Sequence, residues 1–482
     1  MSMKNKDLLR SKAFVDGKWT DAHSGKTYDI KNPADDSVIT SVPDMDEEDV
    51  KEAIEIADRE FPKWSSMLAK DRSEILDKWY RLLMDNQEDL AVLMTMEMGK
   101  PLKESMGEVA YGASFIQWFS EEAKRVYGDV VPNHAQGKRI VVIKQPVGVT
   151  GIITPWNFPL AMITRKVGPA LAAGCTVVIK PAQDTPLSAL AAAYLAQKAG
   201  LPPGVLNIVT SNSASEIGKE LTTNKLVKKI SFTGSTKVGK MLMEQSASTV
   251  KKISLELGGN APFVVFEDAD IEAAAEGAIA CKFRNAGQTC VCANRILVHD
   301  KVYDQFVEKF SEKVKKLKVG NGLDSGVDIG PLINDSAVEK VSELVEDALQ
   351  KGAKLVVGSN KPEGRFFDPM VLTDVNDEME MFSKEIFGPV APVYRFSSDE
   401  EAIELSNKTK FGLASYFYSR DIGRIWKVAE SLQYGMVGIN EGLISTEVAP
   451  FGGVKESGMG REGSKYGIDE YLNIKYMLMG GL

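Results

Sequence analysis

Between Glu47 and Met98 apolar residues recur every three to four positions among charged ones, the pattern of amphipathic helix. From Val126 the pattern changes. Val126–Val131 and Arg139–Lys144 read as two strands around a polar turn, Pro132–Gly137. A hairpin placed there reads as an arm or docking element. From Val147 to Lys240 strands and helices alternate. Val149–Ile153 is an apolar strand, and Pro159 opens a helix. Thr176–Ile179 is the next strand, after which Thr185 is the expected N-cap with Pro186 at the first helical position. Leu206–Val209 and Lys229–Phe232 are short strands, each followed by a helix. A second alternating region runs from Ile253 to about Asn440. Its strands are Ala261–Phe266, Arg295–His299 and Pro392–Phe396, and its helices Asp270–Arg284 and Val302–Leu317. Tyr471–Met479 reads as a last strand that could pair with the hairpin, even across a subunit boundary. The fold class is α/β, with parallel sheets faced by helices, and such sheets bind ligands beyond the carboxyl ends of their strands.

Composition narrows the function classes. The 482 residues exceed one ordinary core and imply two or three domains. A hydrophobic share of 44% is enough for large cores. The net charge of −9, with no long basic run, argues against nucleic acid as the main partner. The four cysteines are too few for a disulfide scaffold of this size, so a reducing, cytoplasmic compartment is expected. Met1–Arg10 has no apolar signal core, and no apolar run is long enough for a membrane span. The three histidines have no metal-ligand spacing, so no metal site is expected and Ser-His-Asp catalysis is disfavoured.

Several residues carry candidate chemistry. Cys290 follows a helix expected to end near Arg284, and Gly287 gives the freedom for a sharp turn that would expose the thiol. The alternative is a buried structural thiol, which is the reading for Cys175 and Cys281. Glu256, between Leu255 and Leu257 at the end of a strand-like run, is either a buried, tuned general base or a solvated strand residue. Asn157, between strand and helix, is either an oxyanion donor or a turn residue. Gly234-Ser235 to Gly239 follows a strand and precedes a helix, an arrangement able to seat a pyrophosphate, though without the central glycine of the usual fingerprint. Lys180 ends a strand within reach of a ribose or a 2′-phosphate, and Glu385 could take ribose hydroxyls; a plain surface charge is the alternative for each.

In order along the chain stand Pro155-Trp156-Asn157-Phe-Pro, Lys180-Pro, Phe-Thr-Gly234-Ser235, Glu256-Leu257-Gly-Gly, Gly-Gln-Thr-Cys290, Glu385-Ile-Phe387-Gly-Pro and Pro450-Phe451-Gly-Gly. Together they resemble the aldehyde dehydrogenase superfamily over nearly the whole chain. The resemblance implies attack of Cys290 on an aldehyde, with Asn157 and the Cys290 N–H holding the oxyanion. Hydride transfer to NADP or NAD then leaves a thioester, which Glu256 hydrolyses through water, with Lys180 counted in the catalytic set. It implies cofactor contacts from Thr154, Pro155, Trp156, Lys180, Ala182, Gln183, Gly234, Ser235, Gly239, Leu257, Glu385 and Phe387. It also implies a cofactor domain over 1–124 and 145–252 and a catalytic domain over 253–440. Residues 125–144 and 462–482 would form an oligomerisation arm, and 441–461 would return to the cofactor domain and substrate pocket, in a homodimer or homotetramer.

Within the superfamily, Met162-Ile-Thr-Arg165, Phe283-Arg284 through Cys290-Val-Cys292, and Glu441 to Ser445 are most similar to succinate-semialdehyde dehydrogenases. That likeness assigns Arg165, Arg284 and Ser445 to a substrate carboxylate, beside Phe451. Arg165 lies two turns into the helix after Asn157 and Arg284 six residues before Cys290, so both can face one site. Two guanidinium groups select an anionic aldehyde through paired hydrogen bonds; structural ion pairs are the alternative. Glutarate semialdehyde is the nearest competing substrate and uncharged aldehydes the next. Cys290 and Cys292 have the spacing of a reversible disulfide, Cys292 as a passive small residue being equally open. Gln183, where relatives carry glutamate for NAD or serine for NADP, implies dual cofactor use with a slight lean to NADP.

Overall fold

The computed structural model describes residues 3–481; Met1, Ser2 and Leu482, the outer ends of the expected first and last segments, lie outside them. The helical pattern resolves into Glu47–Ser66, Ala69–Asp85 and Gln87–Met98, followed by Leu102–Glu122. Asp46 starts the first with a capping box to Asp49, and Gly99 ends the third in the left-handed conformation.

Among the described residues the strands form sheets of eight, seven, three and two. The centre of the eight-stranded sheet is parallel. Its spatial order is Lys252–Glu256, Val227–Thr233, Val149–Ile153, Val177–Lys180, Leu206–Ile208. The chain runs outward from Val149–Ile153 through two strands and then returns to its other side. The strand order therefore reverses between Val149–Ile153 and Val227–Thr233, and their carboxyl ends open a ligand crevice of the Rossmann type. Thr154-Pro155-Trp156 leaves one of these ends and Gly234-Ser235 the other.

The seven-stranded sheet is parallel from Met370–Thr373 through Val390–Phe396, Ala293–His299, Ala261–Val265 and Ala414–Tyr418 to Met436–Ile439. Cys290 precedes Ala293–His299, at the amino end of this sheet, whereas Glu256 closes a strand of the other. The two sheets thus approach one place from opposite ends. Gly458–Met459 pairs antiparallel with Leu255 and Glu256, bringing the late segment back to the first sheet. Leu472–Gly480 pairs with Lys138–Pro146 of the same chain, and Asp129–Val131 completes the three-stranded arm. No described helix is long and apolar enough to cross a membrane.

Three expectations are corrected. Thr185 does not cap the helix Leu187–Ala199. The buried Glu97 carboxylate accepts the Leu187 and Ser188 N–H groups at 2.7 and 2.8 Å, two orphan donors that one hydroxyl could not serve. The helix after Pro159 starts at Ala161, so Arg165 lies about one turn in rather than two. The first hairpin strand begins at Asp129 instead of Val126, because Ala123–Arg125 continues the preceding helix as a 3-10 turn. Two short strands, Ala13–Val15 and Lys18–Thr20, also extend the large sheet through Phe14 beside Ile208. They are too brief to show periodicity.

Candidate active site

The segment bearing Cys290 starts where the helix Ile271–Phe283 stops. Asn285, Ala286 and Gly287 then take φ of +54°, +54° and +72° in succession. Left-handed backbone costs each non-glycine residue about 1–2 kcal/mol and persists only where surrounding bonds fix it. Here Asn285 N–H donates to Glu104 Oε2 at 2.8 Å, Asn285 Nδ2 to the Asn157 carbonyl at 2.9 Å, and Gln288 N–H to the Asn285 carbonyl at 2.9 Å. The expected sharp turn is therefore present and wider than Gly287 alone. The turn delivers Cys290 half-buried, and among the described residues no acceptor pairs with its N–H. The Cys290 carbonyl lies against Gly259, where a Cβ would collide with it, which explains the glycine so close after Glu256.

Asn157 is buried at 5% exposure. Its amide donates to the Gln288 carbonyl at 2.9 Å, within the Cys290 segment, so donor and thiol are fixed to each other through two residues. Glu256, 3% exposed, is not the solvated strand residue of the alternative reading. Its Oε2 is buried without a partner. Burial, then the neighbouring Glu462 carboxylate, raises it well above the usual carboxyl value, against the pull of Arg165 and Lys166. Burial likewise pushes the Cys290 thiol up to about 12, although Arg165 opposes it. The thiol at rest is thus not activated, and attack requires a base to remove its proton.

Cys290 lines two cavities. The first, about 270 Å³, is bounded by Arg165, Arg284, Ser445 and Phe451 together with Glu104 and Tyr111. Arg165 stands 3.9 Å over the Phe451 ring, with its Nη2 2.7 Å from Glu462 Oε2, so the structural-ion-pair alternative holds for one of its nitrogens. Its Nε has no partner. Arg284 lies 5.4 Å over the Phe158 ring, and among the described residues it makes no ion pair.

The second cavity, about 250 Å³, is bounded by Pro155, Trp156, Asn157, Gly234, Ser235, Leu257, Glu385 and Phe387. Trp156 and Phe387 meet edge to face at 5.6 Å. The Thr233 hydroxyl on its wall is buried without a partner. Glu385 accepts the Gly259 N–H at 2.9 Å, and burial raises it to about 7. Ser235 caps the helix Thr236–Ala247, whose N-terminus opens at this wall. Flat apolar walls, an unpaired hydroxyl, a carboxylate and a helix N-terminus fit a nicotinamide dinucleotide. Thr154, Lys180, Ala182, Gln183 and Gly239 border neither cavity. Lys180 is a near neighbour, since its carbonyl accepts the Thr154 N–H at 3.2 Å. Its ammonium is buried against the Pro181 carbonyl, and burial lowers it to about 8.

Residues 19–477 match the model of the aldehyde dehydrogenase family. The chain belongs to the aldehyde dehydrogenase family. This aldehyde dehydrogenase, an NAD(P)-dependent oxidoreductase, is 59% identical over 477 residues to the glutarate-semialdehyde dehydrogenase of Pseudomonas putida, covering 99% of each chain. It is 57% identical over 482 residues to the NADP(+) succinate-semialdehyde dehydrogenase GabD of Escherichia coli, covering all of both. It is 56% identical over 484 residues to a 3-sulfolactaldehyde dehydrogenase of Pseudomonas putida, covering 100% and 99%. The crystal structure of succinate-semialdehyde dehydrogenase from Burkholderia pseudomallei superposes with a TM-score of 0.98 at 56% identity, covering all of both chains.

In this aldehyde dehydrogenase Cys292 is 7% exposed and borders neither cavity. Its sulfur contacts the buried Lys282 ammonium at 3.4 Å. Lys100, Glu104, Glu108, Tyr111 and Glu462 were not among the sequence candidates. Glu104 and Glu108 carried a usable signal. They stand one helical turn apart, and Glu108 sits between Met106-Gly107 and Val109-Ala110, where a solvated acid is out of place.

Proposed function

We propose that this enzyme oxidises succinate semialdehyde to succinate through a thioester on Cys290. The carrying observation is Arg284, a guanidinium without an ion-pair partner among the described residues, on the wall of the cavity that Cys290 enters. With the free donor of Arg165 and the Ser445 hydroxyl it offers a carboxylate paired, charge-assisted hydrogen bonds. The substrates named for the three relatives agree in one respect: each is an aldehyde with an anionic group at its other end.

Once its proton has passed to solvent, Cys290 attacks the aldehyde carbon. The Asn157 amide and the free Cys290 N–H stabilise the resulting oxyanion. The dinucleotide, when bound, supplies the hydride acceptor that lets this adduct become a thioester. Glu256 then takes a proton from the water that hydrolyses it, a task suited to its raised affinity for protons. Trp156, Gly234, Ser235, Leu257, Glu385 and Phe387 would hold the dinucleotide, with Thr154, Lys180, Ala182, Gln183 and Gly239 as an outer set. Residues 1–124 and 145–252 would form the cofactor domain, 253–440 the catalytic domain, and 125–144 with 462–482 the arm, 441–461 returning to the cofactor domain and substrate pocket. The outward apolar side chains Val130, Ile474 and Tyr476 make the arm suited to a homodimer or homotetramer, and the four free thiols suit a cytoplasmic setting.

Glutarate semialdehyde is the second reading, favoured by the 59% relative, and one methylene separates the two by only about 1–3 kcal/mol. The test is kcat/KM for succinate semialdehyde, glutarate semialdehyde and butanal, repeated on Arg284→Ala and Arg165→Ala. The anionic substrates should lead butanal by about a hundredfold, and the lead should collapse without the arginines. Butanal turnover equal to theirs would remove the carboxylate role.

A further inference from the structure

The helix Leu102–Glu122 and the lysine just before it reach into the active site without touching a reacting atom. Lys100 and Glu108 form an ion pair at 2.5 Å with both side chains fully buried. The pair does not face inward on itself. Lys100 Nζ also donates to the Asn157 carbonyl at 2.7 Å and stands 3.8 Å over the Phe158 ring. The second Glu108 oxygen accepts the N–H groups of Leu160 and Ala161 at 3.0 and 3.1 Å. Those are orphan donors at the start of the helix that carries Arg165, and no side chain of that helix's own caps it. Every polar contact of the pair beyond itself therefore falls on one short segment, 157–161.

That segment joins two functional groups. Asn157 at its start offers the oxyanion donor, and Arg165 follows it by about one turn of helix. One helical turn earlier than Glu108, Glu104 binds the Asn285 N–H of the turn before Cys290, and Asn285 in turn donates to the same Asn157 carbonyl. The Asn157 peptide is thus gripped from one side by Lys100 and from the other by the Cys290 segment.

We propose that Lys100 and Glu108 are positioning residues which hold the Asn157 amide, and with it the Arg165 helix, in register with Cys290. A buried ion pair contributes little to net stability compared with an apolar pair of the same shape, so stability alone does not account for it. Its value lies in direction. An ammonium donates along three axes, and here one is spent on Glu108 and one on Asn157, while the third points at a ring face. Displacing a catalytic donor by about 1 Å costs on the order of a hundredfold in rate.

The inference rests on the oxyanion role proposed for Asn157, and the experiment separates the two. Cofactor-free hydrolysis of p-nitrophenyl acetate reads attack by Cys290 and oxyanion stabilisation without hydride transfer. It is measured on the wild type, Asn157→Ala, the charge-free double variant Lys100→Met with Glu108→Gln, and the triple variant. The double variant should lose roughly tenfold to a hundredfold in kcat/KM while still unfolding cooperatively. In the Asn157→Ala background the same pair of changes should cost less than about threefold, because the group it positions is already gone. Loss of equal size in both backgrounds overturns the positioning role and leaves Asn157 as the oxyanion donor. Unchanged hydrolysis in Asn157→Ala overturns the oxyanion reading and the positioning role together. Should the double variant not fold, Lys100→Arg carries the same cycle, since it keeps a charge for Glu108 but cannot aim its planar fork as the ammonium does.

Discussion

On the aldehyde side of Cys290 the walls carry two guanidinium groups and the carboxylates Glu104 and Glu108; on the dinucleotide side they carry Trp156, Phe387 and Leu257 with a single carboxylate, Glu385, and a single ammonium, Lys340. The difference follows from what each side must hold. A short anionic aldehyde offers few atoms, so its wall needs charges at fixed points. A fully buried charge needs a partner, and Glu462 supplies one to Arg165 and, with Lys166, a second ion pair, while Arg284 is only half-buried. Against the burial that would raise it, Lys166 and Arg165 hold Glu462 below its ordinary value, so it stays anionic. A dinucleotide offers large flat surfaces, and a crevice at the reversal of strand order supplies most of the binding geometry through backbone. One side is built from a charge network and the other from topology.

The largest effect that would sharpen this contrast comes from Glu256, proposed to act on the thioester and not on binding at either side. Glu256→Gln should lower steady-state turnover by about a hundredfold to ten-thousandfold. Its first turnover should remain, visible as a burst of reduced cofactor in stopped flow. Burial and the Glu462 charge raise the Glu256 carboxyl, and only its ionised form can act as base. Wild-type turnover should therefore climb as pH rises through that raised value, and the variant should lack the climb. A burst that falls as far as the steady state would place Glu256 before the thioester.

The same contrast explains what the sequence could reveal. On the dinucleotide side, Gly234 and Ser235 stood out because strand, turn glycine and helix follow one another at short spacing, whereas Trp156, Leu257 and Phe387 entered through the family resemblance, and Glu385, readable alone as a surface charge, gained its role from the same resemblance. Arg165, Arg284, Ser445 and Phe451 were legible through their likeness to relatives, and they line one cavity. The network that holds them was not. Lys100 lies 57 positions from Asn157 and Lys166 lies 296 from Glu462, separations at which no local pattern survives. Thr185 failed as an N-cap for the same reason, since Glu97 arrives from 90 residues away. Local rules anticipate bonds within a turn or two, and this charge network is assembled across helices.

On the dinucleotide side a smaller effect is expected at Gln183, an exposed residue after Val177–Lys180. Gln183→Glu should shift preference from NADP towards NAD. A unit charge added about 4 Å from a 2′-phosphate in water costs about 1 kcal/mol, roughly a fivefold change in the ratio of kcat/KM values. The ratio is read at fixed aldehyde, with salt varied, because screening should shrink the shift. An unchanged ratio would mean that the ribose of the bound cofactor lies elsewhere.

The smallest effect concerns Gly107, on the aldehyde side, and it addresses the choice between four and five carbons. Gly107 lies in the interior of the helix Leu102–Glu122, on the wall of the first cavity. Its φ is not positive, and a Cβ there would meet nothing within 4 Å, so neither backbone nor packing calls for glycine. A mid-helix glycine costs about 0.5–1 kcal/mol relative to alanine. Gly107→Ala should accordingly raise the melting temperature slightly and leave succinate semialdehyde turnover unchanged. Gly107→Leu, which projects further into the same space, should lower kcat/KM for glutarate semialdehyde several-fold more than for succinate semialdehyde, within the range of about 1–3 kcal/mol that one methylene commands. Equal losses on both substrates would show that this wall does not measure chain length, and the discrimination would then lie with Arg284 and Ser445 at the carboxylate end.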